Sequence, residues 1–267
     1  MNALMLNAET SDGWIKCPHY IQNDIVEVTF FEHRQARQMA MYRAHTALFN
    51  SKNQEPDMWR DDERDACAAL YVGYVLREAK RMGKNGRRVV PLCNEKISFS
   101  NYTGVSSEGV ADVVLDNGIT LQIICFSYEK SRQLAVEHNV RMRCMALAGL
   151  QRCAAPPVRN IVLAIVQPRA RYIDRRRCDS EDLVDWAKAV LRPAAQLAVA
   201  GKGPRKAGEH CSSCKERGAC ETYILAKAEK QRIERIIGVA LSDEEMDYLV
   251  FNTDAWSQIF TKYEDVR

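Results

Sequence analysis

The chain has 267 residues, of which 46% are hydrophobic and 27% are charged, and its formal net charge is +3. This composition predicts a globular protein with ample material for a core. The first residues lack a basic flank followed by an apolar run, and no apolar run approaches the ~20 residues of a membrane helix, so we expect neither a signal peptide nor a membrane span. The small net charge permits nucleic-acid binding without arguing for it.

Two helices are predicted before the first strands. The first, over residues 32–50, has apolar side chains at three-to-four spacing and carries His45, which taken alone is typical of a packing histidine. The second, over about 56–82, begins with acids and ends with bases before glycine, as the helix dipole favours. Its basic end continues through residues 80–88 as the first of two concentrated positive runs. The alternative for this run is a solvated helix end.

Strands follow, first around residues 89–99 and then as two apolar runs, 109–115 and 119–128. These two runs flank Asn117-Gly118, the strongest short-range signal for a β-hairpin. Asp112 lies inside the first run. A buried carboxylate is costly unless it is paired or bound to metal, so Asp112 is a candidate functional residue.

The rest of the chain alternates again. It is predicted to form a helix (134–153), a buried strand (160–166), the second basic run (169–177), and further helices (180–199, 221–238 and a capped start at 242). The whole pattern predicts an α/β core with one sheet and helices around it.

Three cysteines fall within ten residues, Cys211, Cys214 and Cys220. Thiolates at this spacing can converge on one metal centre, which wants a fourth ligand. Disulfides are not expected in a chain without a secretory signal, because cytosolic thiols stay reduced. The three residues themselves do not decide between zinc and iron–sulfur. Cys17 stands apart, and a lone cysteine is usually a small buried hydrophobe.

Several of these motifs together resemble the PD-(D/E)XK nuclease superfamily. They are a helix, Glu95, the Gly109–Asp112 strand, its hairpin partner, a helix, and a strand that ends in Gln167-Pro168-Arg169. The resemblance is to the RecB-like iron–sulfur exonuclease branch, and within it to an uncharacterised family from phages and prophages. It implies a restriction-endonuclease-like core at 88–207, preceded by the N-terminal cysteine and helices (1–87) and followed by the cysteine cluster and helical tail (208–267), all in a single domain (1–267).

The resemblance also implies a cofactor. In the iron–sulfur members of the branch, one early cysteine joins three late ones around a [4Fe–4S] cluster, and Cys17, Cys211, Cys214 and Cys220 match that arrangement. The resemblance therefore favours iron–sulfur over zinc. The cluster would staple the N-terminal segment to the C-terminal part and close a loop of nearly the whole chain. The remaining cysteines are expected to be core thiols.

The catalytic motifs depart from the family. His45 matches the helix histidine and Asp112 the strand aspartate, but the second carboxylate is Cys125 and the catalytic lysine is Ser127. Phosphodiester hydrolysis needs carboxylates to fix Mg²⁺ and a cation to orient water, so these remnants predict a pseudonuclease. Rescue by Glu129 on the same strand face is the alternative, with Lys130 contributing only if the strand bulges.

DNA binding is expected to persist although catalytic activity is lost. In the helix after the hairpin, Arg141 takes a neutral family position and Arg143 adds a second cation, where a phosphate backbone would run. Tyr128 and Tyr172 could stack on unpaired bases, whereas Phe126 is expected in the core. The predicted DNA contacts are Arg141, Arg143, Arg169, Arg171 and Tyr172.

The sequence thus predicts a catalytically inactive, nuclease-like protein that binds single-stranded or junction DNA. It would be an accessory factor in phage replication, recombination or transcription, in the cytoplasm of a bacterial host cell, where a phage polymerase or recombination protein could be its partner. Two alternatives remain. One is an active metal-dependent exonuclease, and the other is a protein-interaction scaffold that does not bind DNA.

Overall fold

The structure is a computed structural model, and it describes residues 5–20, 28–51, 61–153, 158–238 and 240. Its strands are β1 (Leu6–Asn7), β2 (Val90–Ser98), β3 (Ser107–Asp116), β4 (Thr120–Phe126), β5 (Asn160–Gln167) and β6 (Tyr172–Asp179). Its α-helices are α1 (Ser11–Lys16), α2 (Val28–Phe49), α3 (Asp62–Met82), α4 (Ser100–Thr103), α5 (Val140–Arg152), α6 (Ser180–Trp186), α7 (Arg192–Ala200) and α8 (Glu221–Ile237). Over these described ranges, none of the helices combines the length and the apolar character needed to cross a bilayer.

The six strands form one mixed sheet, which confirms the predicted α/β class. Its path is β1-β3-β4-β5-β6, and β2 pairs with β3 as well. The β1–β3 and β4–β5 pairs are parallel, and the other pairs are antiparallel. The predicted hairpin joins β3 to β4, and its turn uses Gly118 at φ 79° and the Asn117 side chain, which accepts from the Thr120 N–H. Because β4 and β5 are parallel, their carboxyl ends meet at the same edge of the sheet.

Helices cover both faces of the sheet, and each face has its own core. On one face, α2 and α3 pack through Met39, Tyr71 and Val75 against Leu115 and Ile124. On the other face, α5 packs through Met142, Met145 and Leu147, together with α1 and the helices that follow β6. Strand residues supply both cores in alternation, as a sheet buried on both faces requires.

The alternation of β3 breaks at Asp112. Val113 packs in the core under α2 and α3, whereas Ala111 packs in the core under α5. Neighbouring β2 shows the cause, because Asn94, opposite Asp112, has a φ of 55°. A left-handed residue in a strand changes the direction of the following side chains. The sheet therefore switches faces at the point where its buried acid lies.

One predicted boundary was wrong, and one strand was not predicted. The predicted helix 134–153 begins only at Val140, where the Asn139 side chain caps it by accepting from the Met142 N–H. The preceding loop is held instead by two buried side chains, since Gln167 accepts from the Leu134 N–H and Asp174 accepts from the Val136 N–H. The second basic run also forms strand β6, which its arginine-rich composition did not indicate.

We predict that Gly109→Val lowers the free energy of unfolding by about 1–3 kcal/mol. Gly109 is buried on β3, and a Cβ there would lie 2.4 Å from Met145 Cε and 2.6 Å from Ala8 Cβ. The matched control is Gly73→Ala in the interior of α3, where the nearest atom is 3.5 Å away. That change should stabilise the protein by about 0.5–1 kcal/mol. Urea unfolding measures both, and equal effects would contradict the close packing of β3 against β1 and α5.

Candidate functional site

Asp112 is the centre of the site. Its side chain on β3 has no exposed surface. Arg37 of α2 donates to Asp112 Oδ1 through Nε at 2.8 Å and also through Nη2, and the backbone N–H of Phe126 donates to Oδ2 at 2.8 Å. The sequence prediction that this acid must be paired is therefore confirmed, and its main partner is an arginine from a helix on one face of the sheet.

Arg141 at the start of α5 approaches the same group from the other face. Its Nη2 lies 3.5 Å from Asp112 Oδ1 and 3.9 Å from a carboxylate oxygen of Glu9, and its Nη1 lies 3.4 Å from Cys125 Sγ. Burial raises the pKa of Cys125 to about 12, so that this thiol is uncharged at neutral pH. The site is thus an ion-pair network of two arginines with two acids, together with a neutral thiol.

The structure brings together only part of the predicted catalytic remnant. Asp112 and Cys125 share contact with Arg141, as described above. His45 is exposed and stacks on Phe49, with 4.6 Å between ring centroids. It lies eight residues beyond Arg37 on α2, which corresponds to about 12 Å along the helix, so it is not placed beside Asp112. Ser127 accepts from the Glu129 N–H at 3.2 Å and carries no charge.

The Glu129 carboxylate is engaged within its own loop. It accepts from the backbone N–H groups of Lys130 and Ser131 at 2.8 and 2.7 Å and from the Ser131 hydroxyl at 2.6 Å. These hydrogen bonds, the Ser131 hydroxyl first, lower the pKa of Glu129 to about 2. Lys130 is exposed. Neither residue has a contact with Asp112 among the described hydrogen bonds and ion pairs.

The residues predicted to contact DNA lie around this edge of the sheet. They differ in exposure and in the partners that they contact. Arg143 lies over the Trp186 ring at 5.2 Å, and Arg169 donates to Glu63 Oε1 at 2.9 Å while it covers Tyr128 at 4.4 Å. Arg171 is exposed in the turn between β5 and β6, and Tyr172 is half-buried. Arg171 is therefore exposed, Arg143 is half-buried over an aromatic ring, and Arg141 and Arg169 pair with acids.

The predicted stacking residues are less accessible than the sequence suggested. Phe126 and Tyr128 are only 6% and 5% exposed, and their rings stack on each other in the core. The Phe126 prediction is confirmed, but Tyr128 cannot reach an unpaired base. Of the predicted aromatics, Tyr172 alone retains an accessible face.

The early cysteine segment docks on the late one. His19 Nε2 donates to the Gly203 carbonyl at 3.0 Å, and the Tyr20 hydroxyl lies 2.9 Å from Ser213 Oγ. This fold-back needs Gly13, because a Cβ there would lie 2.4 Å from the Tyr20 ring. The structure therefore places the segment that carries Cys17 against the segment that carries Cys211 and Cys214, as the resemblance implied.

The four cysteines share one neighbourhood without forming a compact ligand set. The pKa of Cys211 is raised by burial and by the nearby Cys214, Cys17 and Cys220, so each lies within electrostatic range of Cys211. The Arg205 Nη1 atom lies 4.0 Å from Cys220 Sγ. Within the part of the chain that the structure describes, however, no three side chains of His, Cys, Asp or Glu stand close enough to hold a single metal ion.

Sequence reasoning missed Arg37 and Glu9. Arg37 is one of three arginines on α2, and it borders the buried stripe of Ala36 and Ala40. A cation beside an apolar stripe was an available signal, since such a side chain must find a buried partner. Glu9 gave no signal, because its neighbours predicted only a turn.

We predict that Arg37→Ala lowers the free energy of unfolding by about 3 kcal/mol, because it leaves Asp112 buried with less compensation. The control is Arg43→Ala on the same helix, whose partner Asp65 is 38% exposed. That change should cost less than about 1 kcal/mol. In an Asp112→Asn background the cost of Arg37→Ala should fall by more than half. Similar costs for both arginines in chemical denaturation would show that the buried pair does not hold the site.

Comparisons with known proteins give a family but no activity. A solved structure described as "Crystal structure of SSO0001" is similar at 12% identity, covering 82% of this chain and 87% of that chain, with a TM-score of 0.35. No curated protein matches the chain significantly. The family model described as "Protein of unknown function (DUF2800)" matches residues 21–265, which include the three late cysteines and Asp112 but not Cys17. The chain therefore belongs to the DUF2800 family.

Proposed function

We propose that this protein is a nuclease-like DNA-binding protein that does not hydrolyse phosphodiesters. The observation that carries the proposal is the pairing of Asp112, the buried acid of the sheet, with Arg37 and Arg141. A hard divalent ion needs several oxygen ligands, and here it would have to displace two arginines to reach one carboxylate. The neighbouring thiol of Cys125 is uncharged and is a poor ligand for Mg²⁺.

The architecture supports a nuclease-like core of the PD-(D/E)XK type. The hairpin β3–β4 carries Asp112, α5 follows, and β5 returns parallel to β4, in the order that the resemblance requires. The chain has this order of elements, and the neighbours of Asp112 are two arginines and a thiol. This combination is what a pseudonuclease requires.

Two arginines outside the ion-pair network favour DNA as the ligand. Arg171 is exposed in the turn between β5 and β6, and Arg143 on α5 is half-buried over the Trp186 ring. Arginine side chains bind phosphates independently of sequence. Such a protein would act as an accessory factor at phage replication, recombination or transcription complexes, where a phage polymerase or recombination protein is the proposed partner.

We further propose that Cys17, Cys211, Cys214 and Cys220 hold a [4Fe–4S] cluster. A single zinc ion brings its sulfur ligands to about 2.3 Å from one point, whereas each thiolate of a cuboidal cluster binds a different iron atom. A shared neighbourhood without a compact ligand set is therefore easier to reconcile with a cluster than with zinc. When bound, the cluster would supply a cross-link between the N-terminal segment and the cysteine turns.

We predict that the purified protein cleaves neither linear, nicked nor single-stranded DNA with Mg²⁺ or Mn²⁺, while it binds DNA with an affinity that falls steeply with salt. Arg171→Ala and Arg143→Ala should each weaken binding and make the salt dependence shallower by about one contact. Arg43→Ala serves as the control, since Arg43 contacts Asp65 rather than the sheet edge. Fluorescence anisotropy and a gel-based cleavage assay measure the two properties.

The two alternatives give different results in the same assays. Metal-dependent degradation by the unmodified protein, abolished by Asp112→Ala, would overturn the pseudonuclease proposal in favour of an exonuclease. Absence of both cleavage and salt-sensitive DNA binding would favour the protein-interaction scaffold.

The cluster proposal predicts a brown protein with broad absorption at about 400 nm, as thiolate-bound iron–sulfur clusters show. Cys214→Ala should remove the colour, and Cys17→Ala should lower both iron content and thermal stability. Cys178→Ala is the matched control, because Cys178 is a half-buried thiol that packs beside the core under α5. A colourless protein with one zinc ion per chain would show that the metal is zinc. Unchanged metal content in Cys17→Ala would show that Cys17 is a core thiol and not a ligand of the metal centre.

A further inference from the structure

The fold joins the two basic runs of the sequence on one surface. Residues 77–88, from the second half of α3 and the loop after it, contain six cations and one acid, and residues 175–177 of β6 are three consecutive arginines. Glu78 connects these segments, because it pairs with Arg81 at 2.7 Å and lies 3.8 Å from Arg175 Nε. We call this surface, formed by residues 77–88, Arg175 and Arg177, the α3–β6 basic face.

The sheet register fixes which side of β6 belongs to this face. Arg177 pairs with Val162, and Val162 pairs with Gln122, whose side-chain oxygen accepts from Arg81 of α3. Paired residues of adjacent strands point to the same side of a sheet, so Arg177 faces the side that α3 covers. On α3 itself, Arg77 and Arg81 are one turn apart on the same stripe.

Most cations of the α3–β6 basic face are available to a ligand. Arg77, Lys84, Arg87, Arg88 and Arg177 are exposed. Over the described ranges, none of these five has an acidic partner within ion-pair distance. The acid of the face, Glu78, is only 13% exposed and is already shared by two arginines. The surface therefore carries a concentrated positive charge that acids within the described ranges do not neutralise.

This face is separate from the edge around Asp112. Cys125, Ile165 and Asp174 form the row of the sheet beside Asp112, and Arg177 lies three residues further along β6. Three residues of a strand span about 10 Å, and the loop after α3 lies further still in the same direction. A ligand on the α3–β6 basic face therefore need not contact the ion-pair network.

The side chains also indicate the form of the nucleic acid. Binding of single strands relies on aromatic side chains that stack on bases. The large hydrophobic side chains exposed in this part of the described structure are aliphatic, namely Leu76, Val90, Ile119 and Ile173. Many cations without a stacking platform fit a ligand whose bases are already paired and whose outer surface is phosphate.

We infer that the α3–β6 basic face binds the phosphate backbone of double-stranded DNA. This inference rests on the proposed DNA-binding function and assigns its main contacts to a surface away from the predicted edge. Binding there is independent of sequence, because the face offers cations to phosphates and no groups arranged to read base edges.

The test compares the unmodified protein with two variants that each lose three cations. Arg77→Ala/Arg88→Ala/Arg177→Ala removes three cations from the face, and Lys188→Ala/Lys202→Ala/Lys227→Ala removes three exposed cations elsewhere. Binding of a blunt duplex, and of one of its strands alone, is measured by anisotropy across a salt series. The face variant should bind the duplex roughly tenfold or more weakly, with a plot of log K against log salt that is shallower by about 2 to 3. The control should stay within about twofold of the unmodified protein.

The other possible outcomes lead to different conclusions. If the unmodified protein binds duplex and the face variant equals the control, the inference fails while the proposed function stands. If the unmodified protein binds neither DNA form at low salt, the proposed function fails and this inference with it. Tighter binding of the single strand through the same residues would overturn the choice of duplex. If the unmodified protein binds poly-glutamate but not DNA, and the face variant loses this binding, the ligand of the face would be an acidic protein.

Discussion

The charge of one carboxylate sets the arrangement of the centre of this protein. Asp112 has no solvent-exposed surface, so its charge must be balanced by groups that the fold itself delivers. Arg37 comes from a helix on one face of the sheet, and Arg141 comes from a helix on the other. The break in alternation at Asn94 and Asp112 makes this possible, because it lets one acid be approached from both layers. The two cores are thus connected through an ionic centre as well as through the sheet between them.

The same balance of charge has a functional meaning. In a metal-dependent nuclease, carboxylates hold divalent cations, and the cations stabilise negative charge on the substrate. In this chain two guanidinium groups supply positive charge beside the buried carboxylate. They are covalently fixed and cannot generate a hydroxide from bound water. Under the proposed function, such a site would retain electrostatic compensation and lose the means of hydrolysis.

The sequence predicted the site only in part, for reasons that particular residues illustrate. Asp112 was identifiable because an acid within an apolar strand needs a partner, and the hairpin was identifiable from Asn117-Gly118. The partner of Asp112, Arg37, was not identifiable from the sequence. Helix α2 offers several cations, and its rotation about its axis is decided by packing. His45 fits a family pattern but lies too far along that helix. Strand β6 was not predicted because it is an arginine-rich edge strand. At the edge of a sheet, composition is a weak guide to strand formation.

The docking of the early segment on the late one has a consequence during synthesis. Tyr20 and Ser213, which meet in the folded protein, are 193 residues apart in the chain. At translation rates of about 5–20 residues per second, roughly 10–40 s separate their appearance at the ribosome. All six strands are complete before Ser213 is made, so the sheet can form while Cys17 still awaits its neighbours. The contact between the segment that carries Cys17 and the segment that carries Ser213 can therefore form only after every strand of the sheet has been synthesised.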